Sequence, residues 1–402
     1  MIEELHNTIQ PYAWGSRRAL AELRGDVGPS ARPEAELWMG AHVVAPSRLA
    51  STGQSLLEAI ETSPAALLGP AVAAGYGAKL PFLLKVLAAA EPLSLQAHPS
   101  LEQAARGFAA DEAAQIPLTA PHRNYKDRNH KPELLCALSE FWALRGFREV
   151  AGTIELLSEL GVAGLEPILA KLAALPNEAG IMAVFSGLMQ APPTEQRRLA
   201  LATAEALRAR IGKSARFNDE LAWGVRIAEL YPGDIGLVLS LLLNLVRLQP
   251  DEAIYLPAGN LHAYLGGTGV ELMASSDNVL RGGLTPKHVN VPELLSILDF
   301  RPQASEVVRP RQQGAEHVYA TEAREFRLSY FDLAGAPLTL AISGPEIWLV
   351  TAGDCKLVSP SSAPLQLTRG RSAFVSADAG SLTLQGEGRI FRARVGGSIT
   401  HP

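Results

Sequence analysis

A chain of 402 residues, 47% hydrophobic and 19% charged, has room for two or three domains and a substantial core, which excludes a disordered protein. The net charge of −5, with no long run of either sign, leaves no basic footprint for nucleic acid. Two distant cysteines, Cys136 and Cys355, exclude a disulfide framework and a cysteine-built zinc site, and they suit reducing conditions.

The opening Met1-Ile2-Glu3-Glu4 has no basic segment leading into an apolar one, so no export signal is expected and a cytoplasmic setting is the default. Up to about residue 145 the chain alternates Gly, Pro and short apolar runs. Helix is expected at Ser55 to Ile60 and at Ser100 to Phe108, where Ser100 and Gln103 form a capping-box pattern. Phe82 to Leu87 and Leu93 to His98 are expected strands, bounded by Pro81, Pro92 and Pro99. From about 149 to 249 apolar residues recur at three- and four-residue spacing. This predicts helices at Glu149–Leu160, Leu165–Leu175, Thr194–Ile211 and Asp234–Leu248, with Thr194 and Asp234 as N-caps and Pro250 as a stop. The most apolar stretch, Ile235 to Leu248, is interrupted by Ser240, Asn244 and Arg247 and is shorter than the ~18–20 residues of a membrane span, so no membrane partner is expected. From Ile254 strands return. Ile347–Val350, Cys355–Val358, Leu365–Leu367, Ser372–Val375 and Ser381–Leu384 are short and punctuated by Gly353-Asp354 and Gly370, as in a sandwich or barrel. The expected fold is mainly β with a helical insertion. One β domain takes residues 1–148 plus 250–310, an inserted α-helical domain takes 149–249, and a second β domain takes 311–402.

Three short segments carry metal-ligand side chains: Gln96-Ala97-His98, Lys131-Pro132-Glu133, and Pro257-Ala258-Gly259-Asn260-Leu261-His262. Residues two apart on a strand share a face, so Gln96 and His98 can reach one ion. Pro132 biases Lys131 toward an extended conformation, and Pro257-x-Gly259 is a turn that can set His262 at the start of a strand. Two imidazoles, one carboxylate and one amide make a shell for a single Zn²⁺. The neutral amide leaves the ion a stronger Lewis acid than a second carboxylate would, and an open position would make the site catalytic. By spacing alone, His42, His122 and His130 are alternative ligands.

At these segments the sequence resembles the type I mannose-6-phosphate isomerases. The resemblance is carried by Gln10 to Gly15, Glu36-Leu37-Trp38-Met39-Gly40-Ala41-His42, Pro81 to Leu87, Pro92 to Pro99, Tyr125 to Glu133 and Ser275 to Val289, in the family's order. Ser100 and Asn290 depart from it, at positions where acidic residues are common. The resemblance implies a cupin (jelly-roll) catalytic domain, the helical insertion, and a second cupin-like β domain. It also implies one zinc on Gln96, His98, Glu133 and His262. It implies interconversion of mannose 6-phosphate and fructose 6-phosphate through a cis-enediol, which needs ring opening, a base, and a phosphate anchor. Arg281 is the expected active-site guanidinium. Lys287, Ser94 and Lys85 are the phosphate candidates, Ser94 because it shares a strand face with Gln96. Glu271 and Lys131 are rival bases, since a lysine beside a cation sheds its proton more readily. Asp277 and His130 are expected to assist ring opening. Trp14, Trp38, Tyr12 and Tyr264 are expected as core or pocket wall. A sugar phosphate is the expected partner and a monomer the expected state. The alternatives are a non-catalytic metal-binding cupin that binds a sugar phosphate, and a metal-dependent oxygenase on the same scaffold.

Overall fold

In a computed structural model, which describes residues 1–304 and 306–397, the strands form two sheets and the longer helices crowd the middle of the chain. Among the described residues each sheet has ten strands. The first is organised around one long strand, His262–Ala274. Its early residues pair with Leu95–Ala97 and Phe141–Phe147, its later ones with Phe82–Ala89 and Glu133–Ala137. The change of partners falls at Gly266-Gly267, just after a register shift between Tyr264 and Gly266. Gly267 has φ 123° there, and a Cβ on it would lie 2.6 Å from the Glu140 carbonyl oxygen, so only glycine fits. The second sheet is C-terminal, except that Ile2–His6 and Arg48–Leu49 join it through pairing with Ser372–Val375.

Alternation along the strands sets what faces where. Leu84, Val86, Leu134, Cys136, Val270 and Leu272 turn outward and pack on Ile347, Leu349, Phe374 and Phe391 of the second sheet. Leu95, Ala97, Ala263 and Leu265 turn outward onto the helical segment. Their neighbours in sequence, Lys85, Glu133, Glu271, Gln96 and His262, are therefore left facing the interior of the first sheet.

Helices form at Val150–Leu160, Glu166–Ala174, Glu178–Gln190, Pro193–Arg210 and Asn218–Leu230. The third and fifth of these were not expected from the sequence. The helix at 193 starts on a proline, so Thr194 lies in its first turn and is not its N-cap. The expected helix Asp234–Leu248 is corrected. Only Gly236–Ser240 is helical, and Leu243–Leu248 is a strand paired with Phe141–Phe147. A short apolar run fits either period, and here the unpaired edge of Phe141–Phe147 decides. The strand expected at Leu93–His98 shrinks to Leu95–Ala97. The two expected strands around Gly353 are one strand, Glu346–Ser359, and Ser381 starts a strand reaching Arg394. Gly353 bends that strand without ending it, facing Gly388 so closely that a Cβ would meet Glu387. Ser100 and Asn290, the two departures from the family pattern, both cap helices: Ser100 Oγ accepts from Gln103 N at 3.2 Å and Asn290 Oδ1 from Glu293 N at 3.2 Å.

One local device occurs three times. Glu36-x-Trp38, Glu140-x-Trp142 and Glu346-x-Trp348 each have the indole N–H donating to the glutamate two residues earlier, at 2.6, 2.9 and 3.0 Å. Each tryptophan also lies in register with a cation on the next strand, Lys85, Arg247 and Arg392, at 5.1, 5.3 and 5.3 Å from the ring centre. The cation in turn pairs with the same glutamate. The Glu346 copy is fully buried. Arg392→Leu is therefore expected to leave a buried carboxylate without its cation and to cost about 3–5 kcal/mol, read as a fall in unfolding midpoint with kcat unchanged. Arg247→Leu, in the exposed copy, should barely move the midpoint. Equal midpoints for the two variants would refute this reading.

Candidate active site

Gln96, His262 and Arg281 lie on three adjacent strands in direct register, so their side chains share one face. His98 continues that face two residues on from Gln96. Its carbonyl accepts from Gly259 N at 2.8 Å, and its Nδ1 donates to the Asn278 carbonyl at 2.7 Å. Gly259 needs its positive φ of 77° for this approach, and a Cβ there would meet the Ile297 carbonyl oxygen at 2.9 Å. His262 Nδ1 likewise donates to the Asn260 carbonyl at 3.0 Å. Both imidazoles thus carry their proton on Nδ1 and turn a bare Nε2 inward. Glu133 meets them, with Oε1 3.3 Å from His98 Nε2 and Oε2 3.7 Å from His262 Nε2.

These three groups fit a divalent cation. Their ligand atoms all lie within 4.8 Å of one another and all three residues are buried. His98 Nε2 is buried without a hydrogen-bond partner, which a metal–ligand bond would satisfy. Burial, with His98 beside it, lowers the His262 pKa to about 4, so the ring is neutral as a ligand must be. Burial alone would raise Glu133, but Lys131 and His98 hold it well below the usual carboxylate range. Gln96 supplies an amide on the same face, its Nε2 donating to Ser94 Oγ at 3.3 Å, which leaves Oε1 available.

Around the triad lies a buried charge cluster. Lys131 Nζ is 2.9 Å from Glu133 Oε1. Lys85 Nζ is 3.1 Å from Glu271 Oε2 and 3.5 Å from Glu36 Oε2. Burial opposes the Lys85 charge, yet Glu271 and Glu36 outweigh it and raise its pKa. Burial raises Glu271, against the pull of Lys85. Tyr264 OH donates to Glu133 Oε2 at 3.5 Å, and its own ionisation is pushed far up by burial and by Glu271. Three carboxylates thus face two ammonium groups, and a divalent cation would reverse the imbalance.

Two residues given roles at the substrate have charged partners here. Lys85, offered as a phosphate ligand, lies beside two carboxylates and over Trp38. His130, expected at ring opening, is bonded through Nε2 to Glu325 at 2.7 Å. Among the described residues, no carboxylate is within ion-pair distance of Arg281 or Lys287; burial lowers both pKa values, and Arg281 further lowers that of Lys287. Both therefore remain open to an anion. Asp277 is bonded to His42 at 3.1 Å, so His42 is no metal ligand. Tyr264, expected as core or pocket wall, lies against Glu133 in the site, whereas Glu36 was missed although it lies two positions from Trp38 on one strand.

The family model described as phosphomannose isomerase type I, catalytic domain, matches residues 2–150. The mannose-6-phosphate isomerase of Escherichia coli (strain K12) is 41% identical over 398 residues, covering 97% of this chain and 99% of that protein. That of Salmonella typhimurium is 41% identical over 397 residues, with the same coverage. A crystal structure of mannose 6-phosphate isomerase bound with zinc and yttrium superposes with a TM-score of 0.91 at 40% identity, over 98% of this chain and 99% of that one.

Proposed function

The chain belongs to the type I phosphomannose isomerases, and on that premise we propose a division of labour among its site residues. It is a zinc-dependent aldose–ketose isomerase of cupin-type fold that interconverts D-mannose 6-phosphate and D-fructose 6-phosphate, moving a proton between C1 and C2 through a cis-enediol. His98, Glu133, His262 and Gln96 would hold zinc, which supplies Lewis acidity toward the sugar's O1 and O2. The observation that carries this assignment is the bare, buried Nε2 of His98 facing Glu133 and His262.

Lys131 is the base. Its ammonium borders the triad at Glu133, its one carboxylate partner among the described residues. Glu271 is held by Lys85 and sets the charge behind the reacting carbons. Arg281 stabilises the enediolate oxygen, and Lys287 with Ser94 anchors the phosphate, so that binding energy remote from C1 and C2 positions them. Asp277 handles the ring-opening proton. On this reading residues 1–148 plus 250–310 form most of the catalytic unit, but Leu243–Leu248 completes its sheet and Ile2–His6 with Arg48–Leu49 join the C-terminal sheet. We further propose a monomer working in the cytoplasm, which the two buried free thiols support. Among the described residues no helix is long and apolar enough to cross a membrane.

The test is turnover of mannose 6-phosphate by metal-free protein with and without added Zn²⁺, beside Arg281→Ala. Zinc should restore fructose 6-phosphate production, and the variant should lose about 10²–10³ in kcat with zinc retained. A folded, zinc-loaded protein without turnover would leave a sugar-phosphate-binding cupin.

A further inference from the structure

Asp277 stands at the edge of a cavity of about 630 Å³, whose wall also includes His42, Lys126, Asn129, His130 and Glu325. Its side chain is 42% exposed there, while that of His42 is 5% exposed. The imidazole is fixed on every side. Its Nδ1 accepts from Val44 N at 3.2 Å, which puts the ring proton on Nε2, and Nε2 donates to Asp277 Oδ1 at 3.1 Å. Its ring centre lies 4.8 Å from that of Trp38 in a T-shaped arrangement, and Trp38 is tied through Glu36 to Lys85. The backbone of Asp277 is equally set. Its amide donates to Asp127 Oδ2 at 2.8 Å, and the next carbonyl, that of Asn278, holds the metal ligand His98. One carboxylate oxygen is therefore clamped and the other has no hydrogen-bond partner among the described residues, one residue from the carbonyl that supports the metal site.

We propose that His42 is the positioning residue for Asp277 in ring opening. This rests on the reading of Asp277 given above. In that step the free carboxylate oxygen takes the proton of the anomeric O1–H as the C1–O1 double bond forms and the C1–O5 bond breaks. It then delivers that proton to O5, so the carboxylate ends unchanged. O1 and O5 share one carbon, so a single well-aimed oxygen can serve both. The other histidine on this cavity, His130, is engaged by Glu325 and has no such aim.

The experiment follows the exchange between α- and β-mannose 6-phosphate by NMR alongside isomerase turnover, in His42→Ala, His42→Gln, Asp277→Asn and the His42→Ala/Asp277→Asn pair, with zinc content measured for each. Anomer exchange in His42→Ala should fall about 10- to 100-fold, a part of the ~10²–10⁴ that a positioned acid–base group contributes. Zinc content should be unchanged. His42→Gln, which keeps an N–H donor at the same reach, should recover most of the rate. The double variant should be no slower than Asp277→Asn, because the two residues act as a unit. Normal exchange in His42→Ala beside a defective Asp277→Asn overturns the role of His42 alone. Equal losses on removing His42 with and without Asp277 do the same. Normal exchange in Asp277→Asn overturns the reading of Asp277 itself.

Discussion

Replacing His98 with alanine is expected to weaken zinc binding by well over ~100-fold and to take turnover with it. Loss of groups that merely orient a ligand costs ~10–100-fold in affinity, and a ligand itself must cost more. Three features of His98 make the expectation strong. It is 1% exposed, its Nδ1 is committed to the Asn278 carbonyl, and its Nε2 has no protein donor or acceptor to fall back on. The substitution removes a ligand and also leaves the Asn278 carbonyl without its donor, at ~1–3 kcal/mol. The unfolding midpoint should therefore fall even in metal-free protein. Metal analysis after dialysis, together with isothermal titration of Zn²⁺, checks the first effect, and thermal unfolding of the metal-free form checks the second. A His98→Ala protein that retains one zinc per chain and full activity would remove the triad as the metal centre.

Much of this site was legible because strand alternation is a strict rule. Gln96 with His98, and Ser94 with Gln96, needed only a two-residue spacing. The same rule, applied to His262 and to Trp38, finds Tyr264 and Glu36. The structure adds what spacing cannot carry, namely partners from distant segments. Lys85 looks like a free cation in an apolar run until the strands bearing Glu36 and Glu271 are laid on either side of it. His130 sits in the same short segment as Lys131 and Glu133, yet the turn before Lys131 sends it to Glu325, 195 residues away in sequence. The fold was misread where local periodicity was ambiguous. Leu243 to Leu248 satisfies both a helical and an extended pattern, and the Asn244 amide, donating to the carbonyls of Arg145, Phe147 and Gln303, helps fix the extended one.

The recurrence of the Glu-x-Trp device separates architecture from chemistry. In all three copies a glutamate, an indole and a cross-strand cation close on one another. Arg392 also reaches a second carboxylate, Glu316, but beside Trp38 the second carboxylate is Glu271 of the strand His262–Ala274, and the cation lies near a metal ligand. The device is thus a structural clasp, and the catalytic unit draws on it to hold an interior lysine charged against the cost of burial.

The second large effect concerns the base. Lys131→Met should lower kcat by about 10²–10⁴, the range of a positioned proton-transfer group, while leaving zinc content unchanged and KM within a few-fold. Methionine keeps the length and apolar stem, so the neighbouring packing survives. Glu271→Gln should be milder on kcat, because Lys85 still has Glu36 within 3.5 Å. It should also destabilise the protein, since it removes the nearer of two carboxylates from a buried ammonium. The deciding measurement is exchange of the substrate's C2 hydrogen with solvent, which reports proton abstraction separately from product release. If Lys131 is the base, exchange collapses in Lys131→Met and persists in Glu271→Gln. The reverse pattern would transfer the role to Glu271. Lys131 would then be left to hold Glu133 in place, and zinc content in Lys131→Met would fall instead of kcat alone.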